Sequence, residues 1–295
     1  MKTHFSRILE KSGTNMLFSR LNKGRTKILL YHSIVKKELF NATRDSSDQC
    51  LTDEEFEKQM RYLNEHCNVI SLDDFFNAKQ DRNKLNVVVT FDDGFLNNYT
   101  IAYPILKKYN IKATFFITTS FLSGEGVPWF LRVPNEAKKA IRNLPFEEFE
   151  KRVNSFNYDP NDYFQPMDWE HLIELSEDPL ISVGSHCKTH YPLTVLPTEK
   201  LTDELKGSKE ILERKLKKKV DYISYPHGIF NENIIEMTKK SGYKAAITTL
   251  HGFNSDNIAP YRMRRNEIGN RGDLNILSSV LSGSWDFFRQ WTKKY

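Results

Sequence analysis

Residues 87–98 read VVVTFDDGFLNN. Val87 to Phe91 form an apolar, β-branched run without alternation, which is how a strand buried on both faces reads. The run leads straight into two adjacent carboxylates, Asp92 and Asp93, and then Gly94. Like charges side by side repel, so such a pair at the mouth of a buried strand calls for a chemical reason. The glycine permits a sharp backbone turn at that point.

The same unit repeats outward from this stretch. KILLY (27–31), ATFFIT (113–118), LISVGS (180–185), DYISY (221–225) and KAAITT (244–249) are further buried-type strands, and RMRRNEI (262–268) opens a last unit. Between them lie stretches with apolar residues at helical spacing: 51–66, with Thr52 and Glu55 as a capping box, then 168–177, 198–219, 231–242 and 274–281. Strands alternating with helices imply parallel βα units. The count predicts an α/β fold, a distorted barrel of about seven parallel βα units. Residues 120–166 break the rhythm and are expected to be a loop insertion with one helical stretch over 135–153. The chain divides into a basic segment (1–26), a main α/β body (27–282) and an aromatic and basic tail (283–295).

The formal charge of +5 is unevenly placed. Residues 1–27 hold seven Lys/Arg and one acid, Glu10, which leaves the remainder at −1. A near-neutral body argues against nucleic acid as a partner. Cys50, Cys67 and Cys187 are an odd number without metal-type spacing, as expected of free thiols in a reducing compartment. No leader-like apolar run follows the start. The expectation is a cytoplasmic protein. The tail residues Trp285, Phe287, Phe288 and Trp291 are expected first to cap the barrel; together with the basic first segment they would also suit peripheral contact with the anionic inner face of a membrane.

In a parallel barrel the chemistry collects at the C-terminal ends of the strands. His32, Asp92 with Asp93, His186 with His190, His227 and His251 all fall there. Two imidazoles, His186 and His190, plus one carboxylate give three protein ligands and leave open positions, as catalytic zinc sites require. A second carboxylate beside them takes a proton from water. The adjacent aspartates supply both from one turn.

These residues resemble the polysaccharide deacetylase family, the NodB-homology carbohydrate esterases of family 4 type. TFDDG (90–94) is similar to the family's first motif, which implies Asp92 as general base and Asp93 as metal ligand. SHCKTHYPLT (185–194) is similar to its His-[Ser/Thr]-x-x-His motif, which implies His186 and His190 as the other ligands of a divalent ion, most simply Zn2+. SYPHG (224–228) resembles the third motif, a loop lining the site with Tyr225 and Pro226. There a backbone N–H, here that of His227, steadies the oxyanion. The resemblance implies an N-acetylated sugar or glycan as substrate and acetate as product. Three departures stand out. Cys187 replaces the Ser or Thr of the second motif. Ser224 replaces an Arg that normally holds the base, for which Arg265 is the substitute expected here, with Arg264 second. The late Leu-x-His motif survives only as TLHG, making His251 the expected proton donor. His32 is expected to line the pocket, without an assigned role. Two rivals remain open at this point: a non-catalytic glycan-binding protein on the same scaffold, and a two-His-one-carboxylate iron oxygenase.

Overall fold

The computed structural model describes residues 2–40, 50–157, 164–255, 259–268 and 273–292; side chains of residues 2, 3 and 290–292, Trp291 among them, lie outside the description. Ten strands occur among these residues: β1 (Thr26–Tyr31), β2 (Ser33–Val35), β3 (Cys50–Thr52), β4 (Asn68–Val69), β5 (Asn86–Phe91), β6 (Ala113–Ile117), β7 (Ile181–Ser185), β8 (Tyr222–Ser224), β9 (Ala245–Ile247) and β10 (Asn266–Glu267). The main sheet runs β10-β1-β5-β6-β7-β8-β9, and β4 pairs with the start of β5. Its paired strands are all parallel. Met263 bridges Ile247 at one edge, while Asn266 pairs with Leu29 at the other. The segment 263–267 thus joins both edges and closes the sheet into the distorted barrel that the strand count predicts.

Period-2 alternation decides what faces inward. On β5, Val87, Val89 and Phe91 belong to the larger, helix-side core together with Phe56, Leu106, Leu172 and Leu212. Val88 instead belongs to a smaller cluster with Ile28, Phe116, Tyr222, Ile247 and Met263. The inward phase therefore reads Val88, Thr90, Asp92 on β5, Ile28, Leu30, His32 on β1, and Tyr222, Ser224 on β8. Apolar residues fill the bottom of the barrel and polar ones emerge at its C-terminal rim.

Helix Asp53–His66 starts with the expected box: Thr52 accepts from the Glu55 N–H, and the Glu55 carboxylate accepts from Thr52. The insertion lies where expected but is helical rather than a plain loop. Helices Thr119–Leu122, Trp129–Arg132, Asn135–Ile141 and Phe146–Asn154 enclose a separate apolar cluster of Phe95, Phe121, Trp129, Phe130, Ile141, Phe149 and Val153. Pro134 and Pro145 each precede a helix start, and Pro145 splits what the pattern presents as one stretch.

The terminal segments are docked rather than loose. Helices Lys2–Lys11 and Thr14–Leu21 pack against helix Leu274–Ser282. Buried Asn15 donates to Ser279 Oγ (3.1 Å) and accepts from Ser284 Oγ (2.6 Å). Phe5 and Phe18 meet Trp285, Phe287 and Phe288 of helix Ser284–Thr292 at centroid distances of 5.4–6.4 Å. Among the described residues, no helix is long and apolar enough to cross a membrane.

Candidate active site

Asp92 and Asp93 leave the end of β5 in opposite roles. Asp93 takes a left-handed φ of 77°, and Gly94 follows at 90°, so the chain reverses within two residues. This turn brings Asp93 to His186 and His190. Asp93 Oδ1 lies 3.6 Å from His186 Nε2 and 3.4 Å from His190 Nε2. One ligand atom from each of the three residues falls within 4.8 Å of the others, and all three are buried. His190 and Cys187 also take left-handed backbone, at 62° and 65°, and His227 at 59°. Four of the seven non-glycine left-handed residues described therefore crowd one site, where strain is held by the surrounding structure.

The donor set fits a cation. His186 Nδ1 lies 2.7 Å from the Ser224 carbonyl, which can only accept, so Nδ1 carries the proton and Nε2 presents its lone pair. Both carboxylate oxygens of Asp93 are buried without a hydrogen-bond partner, as is His190 Nδ1. Burial, and next the charge of Asp92, push the Asp93 carboxyl well above the ordinary carboxylate range. Burial likewise lowers both imidazoles, which favours their neutral, ligating form. Two orphaned buried oxygens facing two neutral imidazoles are an arrangement that a divalent ion satisfies.

Asp92 is held differently. Arg265 grips it through two parallel bonds, Nη1 to Oδ1 at 2.7 Å and Nη2 to Oδ2 at 2.6 Å. Burial alone would raise the Asp92 carboxyl, but the Arg265 guanidinium overrides it and holds the group at about 2. Ser224 stands where an Arg is expected and ties the pair together: its hydroxyl accepts from Arg265 Nη2 (2.8 Å) and donates to Asp92 Oδ2 (3.2 Å). Arg265 also donates to Thr90 Oγ1 (3.2 Å). Arg264, the second choice for this grip, instead donates to the His251 carbonyl at 2.8 Å.

The other expected residues sort as follows. His227 packs against His190 with ring centroids 4.7 Å apart, and its Nε2 accepts from Trp129 Nε1 at 3.1 Å. Burial, then the nearby Arg142, lower its ring to about 3. His251 lies on the cavity wall, but Arg289 donates to its Nε2 and its Nδ1 lies 3.0 Å from Asn266 Nδ2. His32 lines the same cavity, with Nδ1 3.8 Å from Glu267 Oε1. Burial lowers it to about 4 against the opposing pull of Asp92. Tyr225 is buried, stacks on Phe230 and backs the wall. Pro226 is buried in the strand-end turn Pro226–Gly228 and does not border the cavity. Cys187 belongs to the helix-side core, and burial pushes its thiol far up, so it is a packing residue.

Glu204 was not legible as a site residue. It accepts from the backbone N–H groups of Lys188 (2.8 Å) and Thr189 (3.0 Å) and from the Thr189 hydroxyl. Those bonds fix the loop that carries His190. Glu204 lies in a π-helical turn, Asp203–Gly207. Its signal in the sequence is an acid at helical spacing with Leu201, Ser208 and Leu212, all of them buried.

Known proteins agree with this picture. Residues 79–246 match the family described as polysaccharide deacetylase. The chain is 26% identical over 227 residues to the poly-beta-1,6-N-acetyl-D-glucosamine N-deacetylase of Staphylococcus aureus (strain MSSA476), covering 73% of this chain and 69% of that protein. In fold it is similar to the Streptococcus pyogenes deacetylase PplD, with a TM-score of 0.68 and 21% identity over 87% of this chain and 98% of that one. It is also similar to a de-N-acetylase from Aggregatibacter actinomycetemcomitans, with a TM-score of 0.65 and 22% identity over 87% and 99% of the two chains. The family match spans more than half of the sequence and contains Asp92, Asp93, His186 and His190, so this chain belongs to the polysaccharide deacetylase family.

Proposed function

We propose that the protein removes the N-acetyl group from an amino sugar or glycan and releases acetate, with a divalent ion, zinc in this reading, held by Asp93, His186 and His190. The observation that carries it is the pairing of an orphaned buried carboxylate, Asp93, with an adjacent carboxylate locked by Arg265. The named activity of the staphylococcal relative supports the substrate class.

A bound divalent ion would supply Lewis acidity, polarising the acetyl carbonyl and lowering the pKa of water. Asp92, ionised and oriented by Arg265, accepts the proton of the attacking water. The His227 backbone N–H donates to the oxyanion. The C–N bond then breaks, acetate leaves, and the amine takes up a proton. We assign its delivery to His32 rather than His251: the neutral His32 ring relays to the amine the proton that Asp92 has accepted from water. His32 shares the inward phase of Asp92 and feels its charge, whereas the His251 ring is already occupied by Arg289 and Asn266.

The glycan-binding rival leaves a base beside a metal-type trio without purpose. The oxygenase rival leaves Asp92 and its arginine unexplained. Acetate release from N-acetylated oligosaccharides and sugar derivatives, with and without chelator, tests the reading. Metal-loaded protein that releases no acetate from any of them would sink it.

The terminal helices support a peripheral membrane contact. Ile8, Met16, Leu17 and Leu21 are 51%, 58%, 56% and 72% exposed, interleaved with Arg7, Lys11 and Arg20. Co-sedimentation with anionic vesicles should be lost on changing Met16, Leu17 and Leu21 to Ser; retained binding removes the idea.

A further inference from the structure

The cavity over the trio has a volume of about 1020 Å³, and cations border it from two parts of the chain. Lys138, Lys139 and Arg142 come from the insertion, at the end of helix Asn135–Ile141. Arg264 and Arg289 come from the C-terminal part and both engage His251. The carboxylates in the lining are Asp92, Glu267 and Asp286. Asp92 is taken by Arg265, Asp286 by buried Lys27, and Glu267 stands beside His32. Among the described residues, no carboxylate lies in salt-bridge range of Lys138, Lys139 or Arg142.

Two of these cations are poorly solvated as they stand. The Lys138 ammonium is lowered by burial, and its side chain lies over the Phe130 ring at 5.8 Å. Arg142 Nε is buried without a hydrogen-bond partner. Desolvated cations without a counter-charge are unfavourable, and an arriving anion relieves them. Three cations within about one helical turn match an oxyanion of more than one charge better than a single carboxylate. A neutral N-acetylated glycan offers these side chains hydroxyl and amide oxygens but no counter-charge.

Resting on the deacetylase reading above, we propose that the substrate is an N-acetylated sugar bearing a phosphate or diphosphate, bound by Lys138, Lys139 and Arg142 while its acetamido group reaches Asp92. The carrier of that phosphate is either soluble, as in a nucleotide sugar, or a polyprenyl chain.

Calorimetric binding to the full-length, metal-loaded protein tests the proposal, alongside acetate release. The probes are UDP-N-acetylglucosamine, N-acetylglucosamine diphosphoprenol in micelles, a neutral N-acetylglucosamine trimer and a uronate-containing trimer. At least one phosphate-bearing probe should bind about tenfold or more tighter than the neutral trimer, since a charge-assisted hydrogen bond is worth that much. The preference should shrink with salt and fall about tenfold in Lys138→Gln and in Arg142→Gln. The exposed Lys139→Ala serves if those variants fold poorly. The soluble and micellar arms identify the carrier, and tight binding in either supports the proposal. Equal affinity for the neutral trimer, equal affinity for the uronate trimer, or a preference that survives the substitutions overturns it. Tight phosphate-dependent binding without acetate release would instead overturn the deacetylase reading and leave the anion site standing.

Discussion

Arg265 and Asp92 stand 173 positions apart in sequence and meet in a two-pronged ion pair buried under the cavity. The geometry fixes the carboxylate plane as well as its charge, which a Lys cannot reproduce. Ser224, too short to replace the arginine expected at its own position, serves as the link between the two partners.

Arg265→Ala should lower kcat by about 100-fold or more, the usual weight of a positioned base. It should also destabilise the fold by about 3–5 kcal/mol by leaving a buried charge unpaired. Without the guanidinium, burial dominates and the Asp92 pKa rises from about 2. The acid limb of the activity profile therefore moves to higher pH. An unchanged limb together with full activity would show that Arg265 does not support the base.

Asp92→Asn and His186→Ala should fail in different ways. The first keeps the trio and should bind metal at wild-type stoichiometry while losing turnover. The second removes a ligand and should lose both. Metal content by mass spectrometry next to acetate release decides it; metal loss in Asp92→Asn would reassign that residue to the ligand set.

Metal removal should destabilise the protein more at high pH than at low pH. The metal-free fold raises the Asp93 pKa, so it holds an extra proton, and its stability falls as pH rises above the unfolded carboxylate value. A cation needs the ionised carboxylate, so its stabilisation grows in the same direction. The drop in Tm on chelation should be larger near about pH 8 than near about pH 5; a pH-independent drop would contradict this linkage.

Glu204→Gln keeps the shape of the side chain but weakens its grip on the Lys188 and Thr189 N–H groups. Loosening the support of a ligand loop typically lowers metal affinity by about 10–100-fold. Competition with a chelating dye reads this directly, and added metal should restore kcat. Unchanged affinity would reduce Glu204 to a packing role.

His32→Ala should reduce kcat far more than His251→Ala, by about 100-fold if His32 delivers the proton to the amine. His251→Ala should act mainly through Arg289 and Asn266. The reverse order of effects would return the proton donor to His251.

The sequence by itself determined the buried parallel strands and placed Asp93, His186 and His190, which the structure brings together, at strand ends. Unbroken apolar runs, capping residues and strand-end positions report backbone geometry within a few residues, and that geometry is local. The inward phase of His32, Asp92 and Ser224 was not legible, because unbroken apolar runs do not alternate and only the two packed clusters show which phase faces inward. Tertiary structure alone decided the partners. Arg265 grips Asp92 as expected, but Ser224 links the two, Arg289 of the last described helix occupies His251, and Glu204 braces a loop that local pattern leaves unsupported. Such pairings arise only when the ring closes and distant loops share one rim. Their charges are then desolvated together, and the energetics reward whichever partners the closed barrel brings within hydrogen-bond reach.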